Sequence, residues 1–161
     1  MRKEIKLKKL ELSYFKGIKS LSVSFFDNKT VISGRNATGK TTIFDAWSWL
    51  LFGKDSLGNT IFEIKTLNKK GKVINNVEHE VRGLLEINGE FLILRRVLHE
   101  NWTTASSTSP SRLKSNETRC FINGIPLTVT EYQKRIDEII SENLFKLITN
   151  IHYFHSLKAE E

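Results

Sequence analysis

Hydrophobic and polar residues alternate along much of this chain, and the places where the alternation breaks are as informative as the runs. Ile5, Leu7, Leu10 and Leu12 mark a first strand with a phase slip at Lys8-Lys9. "SLSVSFF" alternates cleanly, so Leu21, Val23 and Phe25 face one way. "FDNKT" follows as a turn, because Asp27 and Asn28 favour local side-chain hydrogen bonds. "TVIS" is a short β-branched run and predicts a buried strand. The period then changes. Ile43, Ala46, Trp47, Leu50 and Leu51 recur at i, i+3, i+4, i+7 and i+8, one apolar face of a helix that Gly53 can end. On that spacing Trp47 belongs to the core and Trp49 points elsewhere, toward a neighbouring sheet.

The second half changes period again. "IFEIKTLN", "KKGK" and "VINNVEHEVRGLLEI" predict strands joined by a tight turn. "LLEINGEFLILRR" is a hairpin signal, with Asn88-Gly89 between two apolar runs, and "TRCFINGIPLTVT" repeats it at Asn123-Gly124. Between them, "HENWTTASSTSPSRLKSNET" reads as a long mobile loop or as a hairpin tip that orders on binding. Thr130 is the expected cap of a helix over "EYQKRIDEIISENLF", with Tyr132, Ile136, Ile139 and Ile140 on one face. Strands, loop, helix, hairpins and helix in that order are not the steady βαβα alternation of a doubly wound domain. The expected class is α/β: a mixed sheet with antiparallel hairpins around one embedded helix.

Composition narrows the setting. The chain has 161 residues, 39% hydrophobic and 27% charged, enough apolar material for a core. A net charge of +7 favours an anionic partner such as nucleic acid. The single cysteine, Cys120, cannot form an internal disulfide; it reads as a small buried hydrophobe in a reducing, cytoplasmic setting. "MRKEIKLKKL" is positive but no apolar stretch of signal-peptide type follows it. No run approaches the roughly 18 apolar residues of a membrane helix, so no membrane partner is expected.

The chemistry sits in "VISGRNATGKTTIFDAW". Gly34, Gly39, Lys40 and Thr41 fit G-x-x-x-x-G-K-[ST], the Walker A or P-loop pattern. A backbone that wraps a phosphate must approach closely and turn sharply, which Gly34 and Gly39 allow. The N–H groups of Gly34, Arg35, Asn36, Ala37, Thr38 and Gly39 then form an anion nest at the positive end of a helix. Lys40 supplies a cation to the β- and γ-phosphates, the Thr41 hydroxyl completes a Mg²⁺ shell, and Thr42 can reach the α-phosphate. ATP and Mg²⁺ are the expected ligands.

The segment Leu10 to Asp55, "LELSYFKGIKSLSVSFFDNKTVISGRNATGKTTIFDAWSWLLFGKD", resembles the N-terminal head segment of the SMC and SbcC-type DNA double-strand-break repair ATPases, which belong to the ABC-type heads. "YFKGIKS", the early P-loop and "LFGKDS" carry the resemblance, and "LLEINGEFLILRRVLHENW", "CFINGIPL" and "EYQKRIDEIISENLFKLITN" are similar more loosely. It implies that residues 1–161 are the N-terminal lobe of a P-loop NTPase head, strands and P-loop helix in 1–55, hairpins and C-terminal helix in 56–161. It implies a bacterial or phage-type protein with a coiled coil, ATP-dependent pairing with a second head as a homodimer, double-stranded DNA across the heads, and a nuclease subunit. It places Lys16, in "FKG", near the nucleotide; the plainer reading of Lys16 is a solvated surface lysine. A P-loop small-molecule kinase or a nucleotide-sensing module not acting on DNA is the rival reading.

The pattern also departs from the family. The Walker B strand and the signature loop are not found, so no catalytic residue is identified, and hydrolysis is expected of the complete protein, not of this segment alone. Asp137-Glu138 in "RIDEII" reads as a solvated helix face. Gln133 is the only glutamine and falls inside the predicted helix, while Glu160 stands where the family's magnesium-contacting glutamine is expected. His152 and His155 are spaced i, i+3 without further ligands of metal spacing. Arg95, Arg96, Arg112, Lys114 and Arg119, near Trp102, form a basic cluster able to meet a phosphate backbone.

Overall fold

The computed structural model describes residues 3–26, 29–104 and 111–149. Six strands form one sheet in the order β2-β1-β3-β4-β5-β6, and every pairing is antiparallel. The strands are β1 (Ile5–Phe15), β2 (Ile18–Ser24), β3 (His79–Ile87), β4 (Glu90–Trp102), β5 (Leu113–Ile122) and β6 (Ile125–Leu127); the helices are α1 (Lys40–Phe52), α2 (Val129–Ile139) and α3 (Glu142–Thr149).

The phase slip in the first strand is a bulge. β1 pairs with β3 as Leu7↔Leu85 and then Lys9↔Leu84. The extra residue keeps Leu10 and Leu12 on the covered face, where both are buried. Asn88-Gly89 and Asn123-Gly124 turn the β3–β4 and β5–β6 hairpins, and Asn88 and Asn123 adopt the left-handed φ that such turns need.

α1 lies across the covered face. Ala46, Leu50 and Leu51 are fully buried against Leu10, Leu12, Val81, Leu85 and Leu94. The contact is close at Gly83, where an added Cβ would sit 2.7 Å from Leu50 Cδ2 and 3.6 Å from the Trp47 ring. Glycine in mid-strand is thus what lets the helix approach. Trp49 is buried with its ring 5.3 Å from that of Phe15, against the sheet; Trp47 is only half-buried and packs its edge on Phe145 of α3. The spacing had given the core position to Trp47. α1 is instead covered nearly all round at its C-terminal half, because α3 brings Phe145 to Phe44 and Phe52 as well.

Three segments depart from the pattern. Residues 29–33 form no strand, and Val31 is 70% exposed. A β-branched run becomes a strand only when a ladder partner and an apolar cover meet it, and neither does so among the described residues. The stretch after α1 forms isolated bridges, Phe15↔Lys65 and Leu67↔Val73, around a compact turn, not extended strands. The last helix is two helices. Thr128, not Thr130, is the cap: its hydroxyl accepts from Glu131 N–H and the Glu131 carboxylate accepts from Thr128 N–H, a capping box. The helix ends at Ile140, which is extended, and the Ser141 carbonyl opens α3 by accepting from Phe145 N–H. Tyr132 and Ile136 are buried as expected. Among the described residues no helix is long and apolar enough to cross a membrane.

Candidate functional site

The loop between residues 33 and 40 is shaped by its own side chains. Ala37 and Gly39 both take positive φ, 62° and 93°. For glycine that costs little; for alanine it is a strained position that the surrounding loop must hold. The Lys40 ammonium donates to the carbonyls of Gly34 at 2.8 Å and Arg35 at 2.7 Å, and the Thr38 hydroxyl donates to Arg35 O at 2.7 Å. The loop is curled around the lysine. A Cβ at Gly34 would lie 2.8 Å from Thr38 Oγ1, so only glycine leaves that curl intact. α1 begins at Lys40, so the N–H groups of its first turn, which have no partner inside the helix, face this loop.

Across from the loop stands the β1–β2 turn. Lys16, Gly17 and Ile18 on one side and residues 36–42 on the other line a cleft of about 600 Å³. The candidate residues Lys16, Asn36, Ala37, Thr38, Gly39, Lys40, Thr41 and Thr42 therefore share one cavity. Gly34 and Arg35 lie behind it and bond Lys40 through their carbonyls. Thr41 is exposed in the first turn of α1, where its hydroxyl can join a cation's ligand shell. The curl, the cleft and the hydroxyl suit a Mg-nucleotide phosphate tail.

Two residues that sequence reasoning passed over hold Lys16 in place. Asp45 is buried one turn into α1; its Oδ2 accepts from Lys16 Nζ at 2.6 Å, and its Oδ1 accepts from Ser56 N–H at 3.0 Å and Ser56 Oγ at 2.5 Å. The backbone of Lys16 is fixed too, its N–H donating to Ile64 O at 2.8 Å. A solvated lysine would lack the bond to Asp45. The available signal was a lone carboxylate in the apolar run "TIFDAW". Asp55, next to Ser56, accepts from Leu57 N–H, Asn59 N–H and the Asn59 side chain. Burial raises its pKa, but these bonds and nearby Lys16 outweigh it and hold the carboxyl below the ordinary 3.8.

The basic cluster is less available than its sequence suggests. Arg95 pairs with Glu78 and Glu80, Arg119 pairs with Glu117, and Arg96 is buried beneath Tyr132 and Trp49. Arg112 and Lys114 are exposed and enter no ion pair among the described residues. Asp137 and Glu138 lie on the exposed face of α2, with Asp137 accepting from the Gln133 side chain. Cys120 is buried, which pushes its thiol pKa up. His152, His155 and Glu160 lie outside the described residues. Among the described residues no group of three metal-ligating side chains converges.

Comparison with known proteins places this geometry. A structure described as "Structural biochemistry of ATP-driven dimerization and DNA stimulated activation of SMC ATPases" superposes with a TM-score of 0.67 at 20% identity, covering 95% of this chain and 92% of that one. An SMC head domain from Thermotoga maritima gives 0.57 at 26% identity over 81% of this chain and 41% of that one. The recombination mediator RecF bound to ATP gives 0.53 at 19% identity over 78% and 28%. The chain thus spans nearly all of the first structure and under half of the other two. No curated protein sequence matches it. The fold is that of the N-terminal lobe of SMC and RecF ATPase heads, a P-loop NTPase fold. The AAA domain family model matches residues 9–161, a range that holds the whole cleft, and so the chain belongs to the AAA domain family.

Proposed function

We propose that residues 1–161 form the nucleotide-binding N-terminal lobe of an SMC-like, ABC-type ATPase head that acts on DNA. The observation that carries this reading is the curl around Lys40 facing a phosphate-sized cleft. Lys40 would exchange its two carbonyl partners for the β- and γ-phosphates, and the N–H groups at the start of α1 would receive the remaining phosphate oxygens. Thr41 would ligate Mg²⁺, which when bound neutralises phosphate charge. Lys16, held by Asp45, would add a second cation across the cleft. Turnover in the complete protein would pair this lobe with a second head across double-stranded DNA. Within the group, the resemblance of "LFGKDS" and its surroundings favours the SbcC-type repair ATPases, with a coiled coil, a nuclease subunit and a cytoplasmic, bacterial or phage setting.

The test is a titration of the protein with a fluorescent ATP analogue in the presence of Mg²⁺. Lys40→Ala should weaken binding by at least about tenfold, the loss expected when a charge-assisted contact of roughly 1.5–3 kcal/mol is removed. The thermal midpoint should change little, since Lys40 is outside the hydrophobic core and its two bonds hold only the exposed loop. Equal affinity for mutant and parent overturns the reading.

A further inference from the structure

Positive charge is distributed unevenly between the two ends of the sheet. At the end where β1 starts and the β3–β4 turn lies, Lys6 meets Glu4 and Lys8 meets Glu86. The other end carries the nucleotide cleft, since β1 finishes there at Phe15 and β2 begins at Ile18. At this end a turn projects Lys69, Lys70 and Lys72. All three are exposed, and none enters an ion pair among the described residues. Asn88 and Asn123 make the turns at the far end, where Lys3, next to the Glu4 that bonds Asn88, donates to the Glu138 carbonyl.

The lysine turn is fixed in place. Asn68 N–H donates to Lys72 O at 2.8 Å and Gly71 N–H to Asn68 O at 3.0 Å, while the Asn68 side chain accepts from Lys70 N–H and Lys72 N–H. Its base is anchored twice. Buried Thr66 accepts from Gly17 N–H, in the wall of the cleft, and its carbonyl accepts from Ile74 N–H. Lys65 bonds Glu100, whose carboxylate is buried and also accepts from Asn76 N–H and the Trp102 indole. β4 runs four residues past its last pairing with β3 at Leu98, an arm of roughly 13 Å at about 3.3 Å per residue. The turn is braced between this arm and the cleft.

We infer that Lys69, Lys70 and Lys72 form a phosphate-backbone contact for double-stranded DNA, wired through Thr66 and Gly17 to the nucleotide cleft. The inference rests on the DNA reading proposed above and adds the residues that would make the contact. The bonds between Asn68 and both Gly71 and Lys72 close the turn, so its three lysines are held within one short stretch of surface. A turn that presents cations at set positions matches a regularly spaced polyanion. Backbone contacts of this kind carry no sequence information. Of the basic candidates around β4 and β5, Arg95 and Arg119 are already paired with glutamates, which leaves only Arg112 and Lys114 open there, against three lysines on the one turn.

The test uses the full-length protein and a fluorescent 30-base-pair duplex, with anisotropy read across about 50 to 200 mM salt. Replacing Lys69, Lys70 and Lys72 together by Ala should weaken binding at least tenfold, alike for different sequences. The log–log salt slope should fall by up to about 2.7, near 0.9 for each lost phosphate contact. The corresponding triple Arg variant should restore both. ATP-analogue affinity and thermal midpoint, unchanged in the Ala variant, separate this result from misfolding. Duplex binding by the parent that survives the Ala substitutions with the same slope overturns the lysine contact alone. No duplex binding by the parent overturns the DNA reading and this inference with it. Loss of binding to vesicles rich in anionic lipid, with duplex binding intact, reassigns the turn to a membrane surface and overturns the inference.

Discussion

Val31, in residues 29–33, and Val81, in β3, are the same β-branched residue, yet Val31 is 70% exposed and Val81 is fully buried. Intrinsic preference does not separate the two positions, since both are valine. Their neighbours do. Val81 lies between β1 and β4 in the ladder, with α1 packed over it. Val31 lies on a connection that pairs with no strand among the described residues. The comparison teaches that β propensity describes a surface ready to be packed, and that a partner decides whether it becomes a strand. It also sets the cradle apart from the core: one end of the P-loop is anchored in α1, and the other hangs on an unpaired segment.

The sharpest way to test that contrast is to truncate both sides of it. Leu50→Ala empties a fully buried position under Gly83 and should cost about 2–5 kcal/mol. Val31→Ser should change stability by no more than about 0.5 kcal/mol, as exposed substitutions do. Urea unfolding of both variants measures the difference. A cost of several kcal/mol for Val31→Ser would mean that residues 29–33 are packed after all, and the contrast would fail.

Acid pH probes the bracing between the cleft end and the core. Burial raises the pKa of Glu100, but its bonds to Lys65, Asn76 N–H and Trp102 bring it below the ordinary 4.5. Glu142, between Lys54 and Lys146, is likewise lowered against its burial. A depressed carboxyl contributes stability above its unfolded pKa and loses it as pH falls through the folded value. Stability should therefore be flat from about pH 7 to 5 and decline below about 4.5. Glu100→Gln should cost about 1–3 kcal/mol at pH 7, because Lys65 loses its counter-charge in a buried setting, and should flatten the acid decline. Thermal midpoints of the parent and variant from pH 3 to 7 decide it. An unchanged acid slope in Glu100→Gln would show that the carboxylate does not hold the turn against β4.

Much of this was legible in the residues. The bulge after Leu7, both Asn-Gly turns, the span of α1 and the P-loop spacing follow from local patterns whose physical causes are local. What stayed hidden depends on contacts far apart in sequence. Trp49 faces the sheet as its spacing implies, but its burial against Phe15 and the half-buried place of Trp47 against Phe145 of α3 rest on such contacts. Asp45 and Ser56 could not be tied to Lys16 from spacing, since the three meet only when the β1–β2 turn closes on α1. The capping box at Thr128 was readable, as Glu131 stands three residues on, but the neighbouring Thr130 offered the same chemistry one turn position late.

Among the buried positions Arg96 carries the smallest expected effect. It is a charged residue inside the core, 3% exposed, with its guanidinium 5.0 Å from the Tyr132 ring and 5.8 Å from the Trp49 ring. Its Nε and Nη2 make no hydrogen bond among the described residues. Stacking on two aromatic faces returns about 0.5–2 kcal/mol for a cation. Against this stands the loss of hydration for a charge that enters no ion pair among the described residues, a cost of several kcal/mol. A flexible apolar side chain of similar length would keep the packing on both rings and remove that cost. Arg96→Met should accordingly leave stability unchanged or raise it by up to about 2 kcal/mol, while nucleotide affinity stays the same, because Arg96 does not line the cleft. Urea unfolding with the ATP-analogue titration beside it reads both. A loss of more than about 2 kcal/mol would show that the cation stabilises the core beyond its stacking, and the core would then depend on charge as the cradle does.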